Sequence, residues 1–233
     1  MTRDEYSERV AAAERIVFFG GAGVSTESGI TDFRSVDGLY SQKYDVPPEE
    51  ILSADYFYEH TAEFFAFYFD KMICRSARPN AAHIKLAEWE KAGKLTAVVT
   101  QHIDGLHQAA GSKKVFELHG STLRNTCMRC GKKYALDDIM RFAPGVPKCD
   151  CGGVIKPDVV LYGEQLPSEA VNGAVDAIAH ADMLIVAGTS LTVYPAAGLV
   201  RYFTGPRENL ILINKTPIYG FENQLIGKVG EVL

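Results

Sequence analysis

Among the 233 residues there are only five cysteines and one tryptophan, and basic residues do not outnumber acidic ones. Each shortage excludes something. Five thiols cannot form the disulfide framework of a secreted domain, so clustered cysteines are to be read as metal ligands or reactive thiols in a reducing compartment. With 24 Lys and Arg against 29 Asp and Glu, the net charge of -5 argues against a general nucleic-acid binder. No apolar run approaches the length of a membrane span, and Met1-Thr2-Arg3-Asp4-Glu5 lacks the basic and apolar regions of a signal peptide. A cytoplasmic protein without membrane or nucleic-acid partners is expected. Low-complexity tracts and internal repeats are also missing, and 47% hydrophobic residues suffice for a sizeable core.

Short apolar runs at Arg15 to Phe19, Leu95 to Thr100, Val115 to Leu118, Met183 to Ala187 and Leu210 to Ile213 read as strands. Helical segments lie between them. Thr2 and Glu5 form a capping box for a helix over 4–14, Asn80 caps a helix ending at Gly93, and Ser168 to His180 carries Val171, Ala174, Val175 and Ile178 at core spacing. The alternation predicts an α/β fold, a Rossmann-like doubly wound parallel sheet. Two segments interrupt it. Residues 35–78 hold eight aromatics between Tyr56 and Phe69 and read as a helical module; residues 122–156 carry the cysteines. Together they are expected to build a smaller domain, leaving 1–34, 79–121 and 157–233 as the dinucleotide-binding domain.

Cys127-x2-Cys130, eighteen residues, then Cys149-x-Cys151 supplies four thiolates in two pairs, the set a closed tetrahedral zinc site needs. With no position open for water, the metal would be structural. The second pair is tighter than the usual C-x2-C spacing. Cys74 stands apart as core filler.

Gly20 to Arg34 follows the first strand as a glycine-rich turn ending in Asp32-Phe33-Arg34. Such a turn lets backbone N–H groups approach a pyrophosphate. It lacks the register of G-x-G-x-x-G, and no acid stands about 20 residues on at a second strand end, which argues against a nicotinamide dehydrogenase. Further polar residues fall after later strands: Gln101-His102-Ile103-Asp104, His119-Gly120, Gly188-Thr189-Ser190 and Asn214-Lys215. His119, at a strand's carboxyl end, suits a general base.

Taken together, Gly21-Ala22-Gly23-Val24-Ser25, Gly29 to Arg34, Thr100 to His107, Glu117 to Gly120, the four cysteines, Lys156 to Glu164 and Gly188 to Leu191 resemble the sirtuin family of NAD-dependent protein deacylases. The likeness spans nearly the whole chain and is greatest to bacterial single-domain members. It implies that acetyl-lysine lies in a tunnel between the domains, its amide oxygen attacking the ribose carbon that bears nicotinamide. His119 then acts as general base, and the products are lysine, nicotinamide and O-acetyl-ADP-ribose. Gln101, His102 and Asp104 join His119 as catalytic residues. Gly21, Ala22, Gly23, Thr26, Asp32, Phe33, Arg34, Gln101, Ile103, Asp104 and His119 would contact NAD. Gly188, Thr189, Ser190, Asn214 and Val229 would hold its adenosine half. Val160, Tyr162 and Gly163, facing Val193, would pair with the substrate peptide, and the enzyme is expected to be a monomer.

Two positions depart from the family pattern. His102 stands where asparagine is usual, and Thr31 where proline is usual. Tyr68-x-x-Lys71 approximates the Y-x-x-R of members that remove dicarboxylic acyl groups, but lysine lacks the bidentate fork. Acetyl is therefore the expected group, with longer or dicarboxylic acyl groups as the alternative, and protein mono-ADP-ribosylation as another.

Overall fold

The computed structural model describes residues 1–33, 38–41 and 44–233. Thr2 and Glu5 close the capping box: the Glu5 amide donates to Thr2 Oγ1 (3.2 Å) and the Thr2 amide to Glu5 Oε2 (2.6 Å). Helix α1 (Arg3–Ala12) starts there and stops two residues earlier than its pattern suggested. Strand β1 (Ile16–Gly20) is buried at every position. Helices α2 (Pro48–Ile51), α3 (Ala54–Glu59) and α4 (Thr61–Phe67) follow, with a π-helical turn at Tyr68–Met72. Next come α5 (Ala81–Lys91), β2 (Leu95–Thr100), α6 (Leu106–Ala110), β3 (Val115–Glu117), β4 (Gly120–Cys127), β5 (Lys133–Ala135), α7 (Leu136–Met140) and β6 (Ile155–Val159). The chain then forms α8 (Ser168–Ala179), β7 (Met183–Ala187), β8 (Leu210–Asn214), β9 (Asn223–Ile226) and α9 (Val229–Val232).

Six strands form one parallel sheet in the order β3-β2-β1-β7-β8-β9. The chain builds outward from β1 to one edge, returns, and builds from β7 to the other, so the order reverses between β1 and β7. Alternation along the strands supplies both faces. Phe18, Val98, Ile185 and Ile211 pack with Tyr6 of α1, Leu86 of α5 and Val229 of α9. Phe19, Val99, Val186 and Leu212 pack with Ala174 and Ile178 of α8. Full burial of each large side chain contributes about 1.5–3 kcal/mol, and residues buried on both faces explain why these strands read as unbroken apolar runs. β9 escaped that reading because it is an edge strand in which only Leu225 is buried.

The smaller sheet, β5-β4-β6, is antiparallel. Its β4 and β6 run across the boundaries expected at 121/122 and 156/157. Phe57, Phe64, Phe65 and Tyr68 from the aromatic segment share a core with Cys127, Ile139, Cys149 and Ile155 from the cysteine segment. No helix among the described residues is long and apolar enough to cross a membrane.

Candidate active site

The loops leaving β1 and β7 meet where the strand order reverses, the place where open α/β sheets bind ligands. Gly21 N–H donates to Ala187 O (3.0 Å) and Gly23 N–H to Gly188 O (2.8 Å). A Cβ on Gly21 would lie 2.7 Å from Gly188 O, and one on Gly188, at φ +57°, would lie 2.5 Å from the Val24 amide nitrogen. These glycines are therefore required by loop-on-loop packing as well as by any ligand. Asn80, which caps α5 through its Oδ1, donates from Nδ2 to Val24 O (2.8 Å) and Ser28 Oγ (3.0 Å), anchoring the turn to the helix.

Beside this junction a cleft of about 1460 Å³ runs between the two sheets. It is lined by Gly21, Ala22, Gly23, Asp32, Phe33, Gln101, His102, Ile103, Asp104, His119, Val160, Tyr162, Gly163, Gly188, Thr189, Ser190, Val193, Asn214 and Val229. Two of the expected residues are not on its wall. Thr26 donates its hydroxyl to Gly23 O (3.0 Å), stiffening the turn. Tyr68 is 1% exposed inside the aromatic core, stacked on Phe64 at 5.8 Å, so its assignment as a substrate contact is corrected to core packing. Arg34 lies outside the described residues.

His119 sits between β3 and β4, with Nδ1 2.8 Å from the Gln101 carbonyl. A carbonyl only accepts, so Nδ1 carries the proton and the neutral ring keeps its lone pair on Nε2, the nitrogen left for the cleft. Burial holds the proton affinity of His119 below the usual histidine value; the Gln101 carbonyl opposes this and His102 adds to it. Gln101 in turn donates from Nε2 to Thr189 Oγ1 (3.2 Å), and Asn214 Nδ2 donates to Thr189 O (3.2 Å), tying the ends of β2, β7 and β8 together. Ser190 Oγ pairs with Thr192 Oγ1 at 2.7 Å.

Asp104 is the most heavily partnered acid of the cleft. It accepts from Ser25 Oγ (2.6 Å) and from the Leu106 amide (2.8 Å), and His102 Nδ1 stands 2.6 Å away. Burial opposes its charge, but His102, Leu106 and Ser25 outweigh burial and hold the carboxyl well below the usual range. Ser25 is 1% exposed, and its role as an Asp104 partner is not written in the turn motif, where Thr26 and Ser28 offer hydroxyls of the same kind.

Along the opposite wall the backbone after β6 is almost fully committed. Val160 N–H donates to His119 O (2.9 Å), Leu161 N–H to Glu164 Oε2 (2.8 Å), Tyr162 N–H to Leu52 O (3.0 Å), and Tyr162 O accepts from Ala54 (2.9 Å). Val160 C=O and Gly163 N–H have no such partner among the described residues, and both residues line the cleft. Across the small region, the Cys127, Cys130, Cys149 and Cys151 sulfurs all lie within 4.8 Å of one another, with pairs at 3.5 and 3.6 Å. A tetrahedral zinc with bonds of about 2.3 Å separates its sulfurs by roughly 3.8 Å. The donor set therefore fits one zinc ion, and the Tyr134 hydroxyl, 3.0 Å from Cys149 Sγ, favours the thiolate there.

The glycine turn at the switch point, His119 and the 160–163 wall thus share one cleft, and residues 21–195 match the Sir2 family. The chain belongs to that family. It is 56% identical to an NAD-dependent protein deacetylase of Clostridium acetobutylicum, over 99% of this chain and 96% of that protein. It is 52% identical to one from Clostridium perfringens, over 99% and 98%. Among solved structures, a Sir2 with p53 peptide and NAD+ is similar at TM-score 0.85 and 39% identity, covering 99% of this chain and 95% of that one. A Sir2 bound to acetylated peptide is similar at TM-score 0.84 and 38% identity, with the same coverage.

Proposed function

We propose that this chain is an NAD-dependent protein-lysine deacetylase that converts acetyl-lysine, NAD and water to lysine, nicotinamide and O-acetyl-ADP-ribose. The observation that carries the reading is the His119 tautomer: a ring whose Nδ1 is committed to Gln101 O, in the one cleft shared by the glycine turn and the Val160–Gly163 wall. His119 Nε2 accepts a proton from a ribose hydroxyl, which general base catalysis requires of a group held neutral near pH 7. Gly21, Ala22, Gly23, Phe33 and, by family position, Arg34 hold the diphosphate and nicotinamide half, with Thr26, off the cleft wall, bracing the turn through its bond to Gly23 O. Gln101, Ile103, Asp104 and Asp32 orient the nicotinamide and its ribose, with His102 acting beside Asp104. Gly188, Thr189, Ser190, Asn214 and Val229 hold the adenosine half. When bound, NAD would supply the ribose carbon that the amide oxygen attacks as nicotinamide leaves, and the ribose hydroxyl that takes up the acyl group.

The unpaired Val160 C=O and Gly163 N–H support binding of an extended peptide between this wall and Val193. Cys127, Cys130, Cys149 and Cys151 hold zinc in a structural role, since four protein ligands leave no open position. The segments 35–78 and 122–156, the latter lengthened to take in all of β4 and β6, form the small domain, and the rest the NAD-binding domain. Acetyl is favoured over dicarboxylic groups because Tyr68 is buried away from the cleft and Lys71 is already paired with Asp70 at 2.9 Å. We also take the enzyme to be a cytoplasmic monomer, a state that sedimentation at working concentration tests.

Incubation with NAD and an acetyl-lysine peptide, followed by mass spectrometry, is expected to show nicotinamide and O-acetyl-ADP-ribose in equal amounts. The His119→Ala variant is expected to lose about 10²–10⁴-fold in rate. ADP-ribose attached to protein without release of free lysine would overturn the reading in favour of ADP-ribosyl transfer.

A further inference from the structure

The wall that presents Val160 C=O and Gly163 N–H is a loop rather than a strand of either sheet, tied to its surroundings by the backbone bonds of Val160 and Tyr162 and a single bridge to Ser53; side chains add to these. Lys156 lies in β6, ahead of the loop, and Glu164 directly after Gly163. Lys156 Nζ donates to Val159 O (3.1 Å) and lies 3.1 Å from Glu164 Oε2, with a longer contact to Pro157 O at 3.4 Å. The same Glu164 Oε2 accepts from the Leu161 amide (2.8 Å). One ammonium and one carboxylate thus bridge both ends of the loop and its middle. Lys156 lies outside the cleft wall, its nitrogen 5.9 Å from the centre of the Phe57 ring, whereas Glu164 reaches the wall itself.

We propose that Lys156 and Glu164 are positioning residues that clasp the peptide-binding loop in the shape that leaves Val160 C=O and Gly163 N–H turned to substrate. The inference rests on the deacetylase reading for the identity of the peptide, but the clasp is independent of it. Side-chain exposures of 16% and 27% place the pair where solvent screening is weaker than on the open surface. Removal of either partner leaves the other half-buried without its counter-charge. The loop then has a choice. Freed from Glu164, the Leu161 amide loses its acceptor, and the neighbouring groups can rotate away from the cleft. Because Val160 N–H also bonds His119 O, slack in the loop is felt at the base as well, though one bond away.

The test compares Lys156→Met, which keeps the stem and removes the ammonium, with Glu164→Gln, the double variant and Lys156→Arg. Amide exchange at Leu161 is expected to quicken at least tenfold in Lys156→Met and Glu164→Gln. The KM for an acetyl-lysine peptide is expected to rise about tenfold, with a smaller fall in kcat and an unchanged Kd for NAD. The double variant should be little worse than either single one, because the two act as a unit, and Lys156→Arg should restore much of the peptide KM. Unchanged Leu161 exchange, or additive effects in the double variant, would overturn the clasp. Equal losses in NAD and peptide binding, or loss of bound zinc, would also overturn it by showing a general structural role. A wild-type protein that binds no acetylated peptide while Leu161 exchange still responds to Lys156→Met would instead sink the deacetylase reading and leave the clasp standing.

Discussion

The six-stranded sheet and the cysteine-aromatic region solve the problem of stability in different ways. The sheet buries its strands from both faces, so each short segment carries its own apolar signature and the packing of neighbours reinforces it. The small region has a three-stranded sheet too slight for that, and draws its core from two segments about sixty residues apart, with two of the four cysteines inside it. One region is held by burial throughout its length. The other has its four-thiolate cluster at one end of a smaller core.

Metal removal should expose that difference most sharply. Structural zinc sites contribute about 10–16 kcal/mol of apparent binding energy in small modules, far more than the remaining core of such a region. Chelation, or Cys149→Ala, is expected to abolish peptide binding and release the Phe57–Tyr68 core, seen as lost tyrosine near-ultraviolet dichroism. The α/β sheet is expected to keep its far-ultraviolet signal. Simultaneous collapse of both signals would show that the two regions fold as one unit.

A break on the other side is the Gly21→Ala variant. Its new methyl would press on Gly188 O, and overpacking of this kind costs about 1–3 kcal/mol. If that cost falls on the bound state, NAD affinity should drop roughly 5–150-fold, with zinc content unchanged, as calorimetry and metal analysis would report. Retained NAD affinity would mean that the loops can part without consequence for the ligand.

Acid should separate the regions by a third route. His83 of α5 and His107 of α6 pack against each other with ring centres 4.7 Å apart, and burial lowers their pKa values from 6.5 to about 4 and about 3. An unfolded chain binds these protons at higher pH than the folded one. Their contribution to stability is therefore complete above about pH 6.5 and is lost as pH falls toward 3–4. The expected outcome is a denaturation midpoint of the α/β region that declines steadily between pH 6.5 and 4, and a His107→Gln variant with a flatter profile. Catalysis, requiring neutral His119, should hold its acid limb below pH 6.5, because burial lowers the proton affinity of that ring.

The smallest effect is expected from His102→Asn. The imidazole is 2.6 Å from Asp104, but Asp104 keeps Ser25 and Leu106 as partners without it. A change of a few-fold in turnover, with NAD affinity moving in the same direction, would fit a role beside Asp104. Unchanged turnover would show that the unusual residue is tolerated rather than used.

Much of this was legible before any coordinates. The apolar runs of β1, β2, β7 and β8 announce a buried parallel sheet, Thr2 and Asn80 mark helix starts, and the cysteine spacing marks a metal site because ligand geometry tolerates few intervals. The glycine turn and the polar residues after each strand end converge on one cleft since parallel strands bring all their carboxyl ends to one edge. Other features were not legible. Tyr68 sits one helical turn from Phe64, and nothing in its spacing separates a cleft contact from a stacked core ring. β9 has too few apolar residues to be seen. The pairing of Lys156 with Glu164 and the two uncommitted backbone groups at Val160 and Gly163 depend on where a loop turns.

The sequence by itself determined the doubly wound sheet, the set of four thiolates and the family, because each is written in local patterns of hydrophobicity, spacing or motif. Only the tertiary structure decided which nitrogen of His119 holds the proton, that two distant segments share one core, and which backbone groups of the 160–163 wall remain open. Those outcomes depend on contacts between residues far apart in the chain, where a shift of one ångström changes which partner a donor finds.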